Sequence, residues 1–280
     1  MTTGSDDQAR VRFGLSLPNF AEPGALVDLG VRAEAAGWDG VFLWDHVHGS
    51  PGMPLPVADP WAVLGALAVR TERITLGTGI TAVARRQPEK LARETVTVDH
   101  LSGGRLVLGV GLGEPPEEYT AYGRPADRPT LAARLDEGLE VLAGLWAGAP
   151  FTHHGEHFTV EDAQFLPVPL QRPRIPVWTS CTVPHTRPLA RAARWDGMFV
   201  AAVAPDGSLD PVDPEDVRRA VAIVHEQRAP DAGPFAVALG TPGLPGPDEV
   251  AAHAEAGVTW ILATGWIDDF GDLIDSLASR

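Results

Sequence analysis

Short apolar runs alternate with longer segments of helical periodicity along the whole chain of 280 residues. The runs are rich in Val, Ile, Leu and Phe and have the length of strands, whereas the longer segments repeat apolar positions with helical spacing. The runs predict eight strands: Val11–Leu17, Gly40–Trp44, Ile74–Thr81, Leu106–Gly111, Ile175–Thr179, Gly197–Ala201, Phe235–Gly240 and Trp260–Thr264. The segments predict helices at Gly24–Ala36, Pro60–Thr71, Pro88–Leu101, Leu131–Ala147, Pro184–Ala193, Pro214–Gln227, Asp248–Ala256 and Asp268–Ala278.

Strands that alternate regularly with helices are typical of an α/β protein with a parallel sheet. Eight such repeats predict a single (β/α)8 TIM barrel. The polar first residues predict a flexible tail over residues 1–10, and the barrel is expected to occupy residues 11–280 as one domain.

The alternation is interrupted between Gly148 and Arg174, where the pattern contains no crossover helix. The segment HHGEHF lies between β-prone residues and predicts a hairpin inserted before the fifth strand, beside the barrel mouth. The loop Ala204–Asp213 is a second segment expected to cover the mouth.

Composition excludes several classes of function. The formal net charge of −15 argues against nucleic acid as a partner, because such binding needs cations to neutralise phosphates. No apolar run approaches the length that spans a membrane, so we expect a cytoplasmic protein with no membrane partner. Cys181 is the only cysteine, which excludes a disulfide framework. Lys90, the only lysine, lies in an ordinary helical pattern, which does not favour a Schiff base.

Candidate chemistry follows the predicted strands, because functional groups of such barrels gather at the carboxyl ends of the strands. Asp45 and His46 come directly after the second strand, and an imidazole placed there can transfer protons near neutral pH. The alternative is that both residues only cap and brace the loop. Small or hydroxyl-bearing residues follow other strands, at Gly79–Thr81, Gly111–Gly113 and Ser180. Such a mouth suits a flat heterocycle that needs hydrogen bonds and little charge.

The glycines of GVGLGE, from Gly109 to Glu114, have the spacing GxGxGE, so the third glycine of a dinucleotide fingerprint is misplaced. These glycines more plausibly allow the backbone to approach the face of a ring, with Glu114 at the rim. A glycine-lined loop with a solvated glutamate is the alternative.

Two further groups of polar residues have simpler interpretations. His153, His154 and His157 lie on a polar turn and lack convincing further ligands, so we expect no metal. Arg85 and Arg86 either hold an anion or form ion pairs at the start of a helix.

Several motifs together resemble the bacterial-luciferase-like family of flavin and deazaflavin oxidoreductases. They are WDH, LGTGI, RRQPEKLARETVTVDHLSGGRLVLGVGLGE, EEYTAYG, RPRIPVW, LARAARWDGMF and AEAGVTWILAT. The resemblance covers nearly the whole chain, and HLSGGRLVLGVG is its most specific part. It implies a barrel that binds coenzyme F420 or FMN at the strand ends, with hydride transfer to or from a small organic substrate. It also implies a homodimer formed through the second and third helices.

The resemblance assigns roles to individual residues. His46 and Glu114 are the implied catalytic residues, with the WDH motif similar to the deazaflavin-using branch. The implied cofactor-binding residues are Asp45, Thr78, Gly79, Ile80, Gly111, Gly113, Ser180, Cys181 and Thr182. Related barrels have a non-prolyl cis peptide bond at the position of Gly79–Ile80. The expected environment of Glu114 is partly desolvated, which would raise its pKa towards that of an acid catalyst.

The chain departs from the family pattern after the fifth strand. Relatives usually have a small residue and paired glycines that hold the cofactor phosphate, whereas this chain has Thr179-Ser180-Cys181-Thr182. The phosphate is expected near these residues and the start of the helix after Pro184, with Cys181 a packing or pocket residue and no nucleophile. Two alternatives remain: a two-component FMN monooxygenase with a partner reductase, and a flavin-binding barrel without catalysis.

Overall fold

The structure is a computed structural model that describes residues 10–49, 55–183, 185, 187–204, 209–265 and 269–278. Within these ranges the strands are β1 (Arg12–Leu17), β2 (Gly40–Leu43), β3 (Thr75–Thr78), β4 (Thr81–Ala82), β5 (Leu106–Gly111), β6 (Phe151–His154), β7 (Thr159–Ala163), β8 (Val177–Thr182), β9 (Gly197–Val203), β10 (Leu209–Asp210), β11 (Ala236–Pro242) and β12 (Trp260–Thr264). The helices are α1 (Pro23–Ala35), α2 (Pro60–Arg70), α3 (Pro88–Leu101), α4 (Glu117–Thr120), α5 (Arg128–Trp146), α6 (Arg187–Ala192), α7 (Pro214–Gln227), α8 (Pro247–Glu255) and α9 (Phe270–Ala278).

The sheet closes on itself, which confirms the predicted TIM barrel. Eight parallel strands follow one another around it in the order β1, β2, β3, β5, β8, β9, β11 and β12. β12 then pairs with β1, with Ser16 opposite Thr264, and this pairing completes the ring.

Aromatic side chains fill the interior of the barrel beneath the strand ends. The ring of Phe42 stacks on Trp178 at 5.4 Å between centroids, and Trp260 meets both rings edge-on at 5.8 and 5.6 Å. Glycines on neighbouring strands leave room for these rings: a Cβ added at Gly77 would lie 2.7 Å from Phe42, and one at Gly197 would lie 2.6 Å from Trp178. These side chains fill the interior of the barrel below the mouth, so the barrel is a packed core without a channel.

Helix starts follow local capping. Asp127 accepts a hydrogen bond from the Thr130 N–H at 2.9 Å and caps the helix. α5 therefore begins at Arg128, three residues before the predicted start at Leu131. Asp59 caps α2 in the same way through the Ala62 N–H.

β8 ends later than predicted, and this difference changes the site. β8 runs to Thr182, whereas the sequence pattern predicted an end at Thr179. Ser180 and Cys181 therefore lie within a strand, where successive side chains point to opposite faces of the sheet.

The inserted hairpin before the fifth barrel strand is confirmed. β6 and β7 pair antiparallel, with His154 opposite Thr159. Glu137 of α5 accepts hydrogen bonds from the N–H groups of His157 and Phe158, which fixes the turn of the hairpin. The burial of Glu137 raises its pKa, but these bonds outweigh that effect and the net pKa is lowered.

Two expected segments fall partly outside the described residues. The tail predicted over residues 1–10 does so except for Arg10, which forms an ion pair with Asp39 at 2.5 Å. Residues 205–208 of the loop Ala204–Asp213 also lie outside them. No helix within the described ranges has the length and hydropathy needed to cross a bilayer.

We predict that Gly109→Ala destabilises the barrel, because a Cβ at this position would lie 1.9 Å from the carbonyl oxygen of Thr78. The expected loss is about 1–3 kcal/mol or more in the free energy of unfolding, measured by urea denaturation. Gly65→Ala on α2 is the matched control, since its Cβ meets nothing within 4 Å, and it should be neutral or stabilising by up to about 1 kcal/mol. Equal midpoints for the two variants would contradict the close approach of β3 and β5.

Candidate active site

The floor of the barrel mouth is built from small residues at the ends of β3, β5 and β8. The peptide bond between Gly79 and Ile80 is cis, which confirms the expectation from the resemblance. A Cβ added at Gly111 would lie 2.5 Å from Ser180 Oγ and 2.9 Å from Ile80 Cδ1, so these three residues are immediate neighbours. Gly79, Ile80 and Ser180 are partly exposed at this level, while Gly111 is buried beneath Ile80 and Ser180. These small or flat-lying groups leave a surface that a flat ring can approach, and the site fits a flavin or deazaflavin in this respect.

Trp44 and Ser16, at the ends of β2 and β1, lie on the other side of the mouth. Trp44 Nε1 donates a hydrogen bond to Ser16 Oγ at 2.8 Å. Thr264 Oγ1 donates to the Ser16 carbonyl at 2.9 Å. These bonds satisfy the indole N–H and leave the ring carbons of Trp44 as its remaining surface.

His46 lies on the loop after β2, above Trp44, and its side chain is 22% exposed. Its ring stacks on Phe20 at 4.8 Å between centroids and lies 5.7 Å from Trp44. Asn19 accepts a hydrogen bond from the His46 N–H and donates to its carbonyl oxygen, so the backbone of the loop is fixed as well.

Glu118 orients the imidazole of His46. The Nδ1 atom lies 3.0 Å from Glu118 Oε1, which also accepts the Val47 N–H at 2.9 Å. The carboxylate of Glu118 is fully buried. Burial raises the pKa of Glu118, but hydrogen bonds from His46 and Val47 and the charge of Arg85 outweigh it, so the net pKa is lowered.

An ionised carboxylate can only accept hydrogen bonds, so Nδ1 of His46 carries the proton in this pair. The neutral imidazole then holds a lone pair on Nε2. Within the described ranges no hydrogen bond reaches Nε2, so this atom is left to act on a bound molecule.

The charge of Glu118 belongs to a buried network of two arginines and two carboxylates. Arg85 pairs with Glu118 and lies 3.5 Å from Asp45 Oδ1, with its side chain 4% exposed. Arg86 binds Asp45 through two hydrogen bonds of 2.6 and 3.1 Å. Burial lowers the pKa of Arg86, but the charge of Asp45 outweighs it and the net pKa is raised. Asp45 therefore braces the loop, which is the structural alternative given for it in the sequence analysis. Arg85 and Arg86 form ion pairs with carboxylates of the protein, the second of the two possibilities given for them.

The carboxylate that contacts His46 is Glu118, whereas the sequence analysis assigned the carboxylate of the site to Glu114. The side chain of Glu114 is 57% exposed and pairs with Arg128 at 2.6 Å. The expected desolvation of Glu114 is therefore wrong, because the turn at Gly113 (φ +83°) and the following residues leave this carboxylate in solvent. Glu118 belongs to the EEYTAYG motif, which is part of the family resemblance. The motif does not predict the short helix α4, and it is this helix that directs the side chain of Glu118 inward.

Two other residues expected at the cofactor lie behind the sheet. Cys181 is 1% exposed and packs among apolar residues between the barrel and the helices, and burial raises its pKa to about 12. Thr78 Oγ1 donates a hydrogen bond to the Gly109 carbonyl at 2.8 Å and is buried. Both positions follow from strand alternation, since Ser180 and Gly79 are the inward neighbours.

The remaining expected residues lie at the rim. Thr182 is exposed at the end of β8, and α6 begins at Arg187, later than predicted, with Pro184 and Thr186 outside the described residues. His153 contacts Glu137 and His154 contacts Glu161, so these histidines serve the hairpin. The described part of the chain contains no group of three or more metal-ligating side chains in reach of one ion.

A cavity of about 1270 Å³ lies at the opposite end of the barrel from these residues. Strand starts such as Arg12, Thr75 and Trp260 line it, together with Arg105 and Arg174. Since functional groups of TIM barrels gather at strand carboxyl ends, the mouth around His46 is the candidate active site.

Fold and site together define a TIM barrel whose mouth offers a bare floor and one oriented imidazole. The sequence matches the luciferase-like monooxygenase family over residues 3–274, and the chain belongs to this family. It is 37% identical over 171 residues to an F420-dependent glucose-6-phosphate dehydrogenase of Microbacterium testaceum, a match that covers 60% of this chain and 50% of that one. The chain thus spans about half the length of that curated relative.

Two other matches extend over almost the whole chain. An uncharacterized protein of Mycobacterium tuberculosis is 30% identical over 269 residues, which cover 89% of this chain and 90% of that protein. The structure of the coenzyme F420 dependent tetrahydromethanopterin reductase from Methanopyrus kandleri superposes with a TM-score of 0.77 at 20% identity. That superposition covers 96% of this chain and 98% of the reductase, and it shows the shared fold.

We predict that Glu118→Gln destabilises the protein by about 3 kcal/mol near pH 7, because it leaves Arg85 buried with one fewer carboxylate. The pKa of Glu118 is lower in the folded than in the unfolded chain. Its contribution is therefore fully present above the unfolded pKa, about 4.3, and is lost as the pH falls through the folded value. Urea denaturation from pH 7 to pH 3 measures the difference between wild type and variant.

The control for this prediction is Glu114→Gln, which removes an exposed carboxylate four residues earlier in the chain. We expect a change of no more than about 0.5 kcal/mol at any of these pH values. A Glu118→Gln variant as stable as Glu114→Gln at pH 7 would show that the buried network does not hold His46.

Proposed function

We propose that this chain is an oxidoreductase that uses coenzyme F420 or FMN to exchange hydride with a small organic substrate. The observation that carries the proposal is the position of His46: Glu118 fixes its Nδ1, its Nε2 has no hydrogen bond within the described ranges, and it lies at the same barrel mouth as the floor of Gly79, Ile80 and Ser180. Membership of the luciferase-like family and the F420-dependent relative support the choice of cofactor.

The residues around the floor divide the work of binding and proton transfer. F420 or FMN, when bound, supplies the exchange of two electrons with the substrate. Gly79, Ile80 and Gly111 are proposed to lie under the ring, and Ser180 offers a hydroxyl beside them. His46 Nε2 takes a proton from the substrate hydroxyl, or returns one to a carbonyl in the reverse direction. Glu118 holds the tautomer and stabilises the imidazolium that forms.

The phosphate of the cofactor is proposed to lie at the end of β8. Thr182 and Arg187 are both exposed there, and Arg187 makes no hydrogen bond or ion pair within the described ranges. A phosphate and a guanidinium form charge-assisted hydrogen bonds, so Arg187 takes the part that the missing paired glycines play in relatives. Cys181 contributes packing behind this segment, and Gly113 shapes the turn above the floor.

The proposal extends to the oligomeric state of the protein and to its location in the cell. We propose a homodimer through the groove between α2 and α3, where Val69 is 63% and Leu101 48% exposed, and sedimentation velocity measures this state. A cytoplasmic location without a nucleic-acid partner fits the net charge.

A two-component FMN monooxygenase with a partner reductase is the second candidate, favoured by the description of the family. Oxygen consumption with reduced FMN separates it from a dehydrogenase or reductase. Binding of either cofactor without any turnover would favour the third candidate, a barrel that binds flavin without catalysis.

We predict that His46→Asn lowers kcat by about 100-fold or more while leaving the Kd for the cofactor within about threefold. Proton transfer is lost in this variant, whereas the floor is unchanged. His48→Asn is the matched control, because His48 lies two residues away and bonds the Gly49 carbonyl. Unchanged turnover and an unchanged pH profile in His46→Asn would assign this residue to structure alone.

We predict that Ser180→Gly weakens cofactor binding by about 3-fold to 10-fold, as expected for the loss of one hydrogen bond. Titration of FMN and F420 by fluorescence measures the change. Cys181→Ala is the control, because Cys181 lies behind the sheet and its loss should leave the Kd unchanged. Tight binding only in Ser180→Gly would mean that the hydroxyl blocks the pocket and that the wild-type barrel has lost its cofactor.

A further inference from the structure

The mouth of the barrel carries most of the negative charge of the chain. We define the mouth segments as the stretches from the end of each barrel strand through the first turn of the next helix: 18–26, 44–63, 79–91, 112–131, 183–190, 204–217, 243–250 and 265–273. They contain 6 Lys or Arg and 18 Asp or Glu residues. Such a field disfavours a phosphorylated or carboxylated substrate unless a free cation at the mouth receives its charge.

The cations in the mouth segments are already engaged, with one exception. They are Arg85, Arg86, Lys90, Arg124, Arg128 and Arg187. Arg85 and Arg86 neutralise Glu118 and Asp45, Lys90 pairs with Glu94, Arg128 pairs with Glu114, and Arg124 donates to the Arg85 carbonyl at 2.8 Å. The parts of these segments outside the described residues contain no Lys or Arg in their sequence.

Arg187 is the exception, and the proposed function assigns it to the phosphate of the cofactor. No cation is then left for a phosphate on the substrate. A dianion taken into the mouth would lose its hydration without gaining a partner, which is strongly unfavourable.

Several neutral polar groups near His46 bond within the protein, whereas no hydrogen-bond partner is described for His48 Nε2 and Thr81 Oγ1. Asn19 bonds the carbonyls of His46 and Ala58, Trp44 bonds Ser16, and Thr264 bonds the Ser16 carbonyl. Thr241 Oγ1 donates to the Gly243 carbonyl at 2.8 Å. A sugar brings several hydroxyl groups, and these would find few partners among the described residues.

The mouth also offers apolar surface beside His46 Nε2. The rings of Phe20 and Trp44 flank His46, and the side chain of Ile80 is partly exposed at the floor. Val47, next to His46, is 43% exposed at the rim, and Tyr122 is 52% exposed beside His48.

We propose that the substrate is a neutral molecule with one hydroxyl or carbonyl group on an apolar skeleton, and that this site does not accept sugar phosphates. The proposal rests on the proposed function and names its substrate class. It separates this chain from the relative named for glucose 6-phosphate, whose match covers only 60% of this chain. The polar group of the substrate meets His46 Nε2, and the apolar remainder lies against Phe20, Trp44 and Ile80.

Binding and turnover are measured with matched probes. Saturation-transfer NMR compares acetophenone with glucose 6-phosphate at equal concentration, on the cofactor-free protein and on the F420-loaded protein. We expect saturation transfer to acetophenone and none to glucose 6-phosphate. With F420 present, kcat/KM for 1-phenylethanol should exceed that for glucose 6-phosphate by about 100-fold or more.

Trp44→Leu tests the proposed wall. It should weaken acetophenone binding by about fivefold or more, whereas Leu170→Ser, on the exposed segment before β8, should leave it unchanged. Oxidation of glucose 6-phosphate at a comparable kcat/KM, or saturation transfer to it, overturns the proposal while leaving the oxidoreductase function intact. Absence of saturation transfer to acetophenone overturns it as well. F420 and FMN affinities are measured first by fluorescence, and failure of both to bind rejects the proposed function and this inference together.

Discussion

The buried pairing of Glu118 with Arg85 is the interaction on which the site depends. Two carboxylates and two guanidiniums lie together behind the mouth, and their charges balance. Ion pairs of this kind are costly to desolvate, and breaking one leaves a buried charge without a partner. The network therefore specifies one arrangement of three loops, those after β2, β3 and β5. Only in that arrangement does the carboxylate of Glu118 reach His46 Nδ1 and direct Nε2 to the mouth.

The barrel below sets where that mouth begins. Phe42, Trp178 and Trp260 fill the interior, and glycines on neighbouring strands give these rings their space. Above this plug the inward residues become small, at Gly79, Gly111 and Ser180. The change from large rings to small residues along the strands produces a closed floor, whose partly exposed residues are Gly79, Ile80 and Ser180. A cofactor ring can lie on such a floor without competing with the core for volume.

Charge is distributed unevenly between the ends of the barrel. The mouth segments hold 18 acidic residues against 6 basic ones, while Arg12, Arg105 and Arg174 line the cavity at the other end. The basic residues that remain at the mouth mainly neutralise carboxylates of the protein itself. The orientation of His46 and the proposed selection against anionic substrates thus depend on the same arginine pairings, because a guanidinium that holds Asp45 or Glu118 is unavailable to a ligand.

Local patterns in the sequence determined the TIM barrel, the hairpin and the position of His46. Strand and helix periodicity depends on nearest neighbours along the chain, and the end of β2 could be placed from an apolar run followed by polar residues. The partner of His46 could not be predicted in this way, since Glu118 is 72 residues away in the chain. Only the helix α4, which directs Glu118 into the protein, distinguishes it from Glu114. The roles of Ser180 and Cys181 depended on where β8 ends, because a shift in strand length decides which side chain faces the barrel. The sequence by itself therefore determined the architecture and one catalytic candidate, whereas tertiary packing decided which carboxylate supports it and which side chains reach the floor.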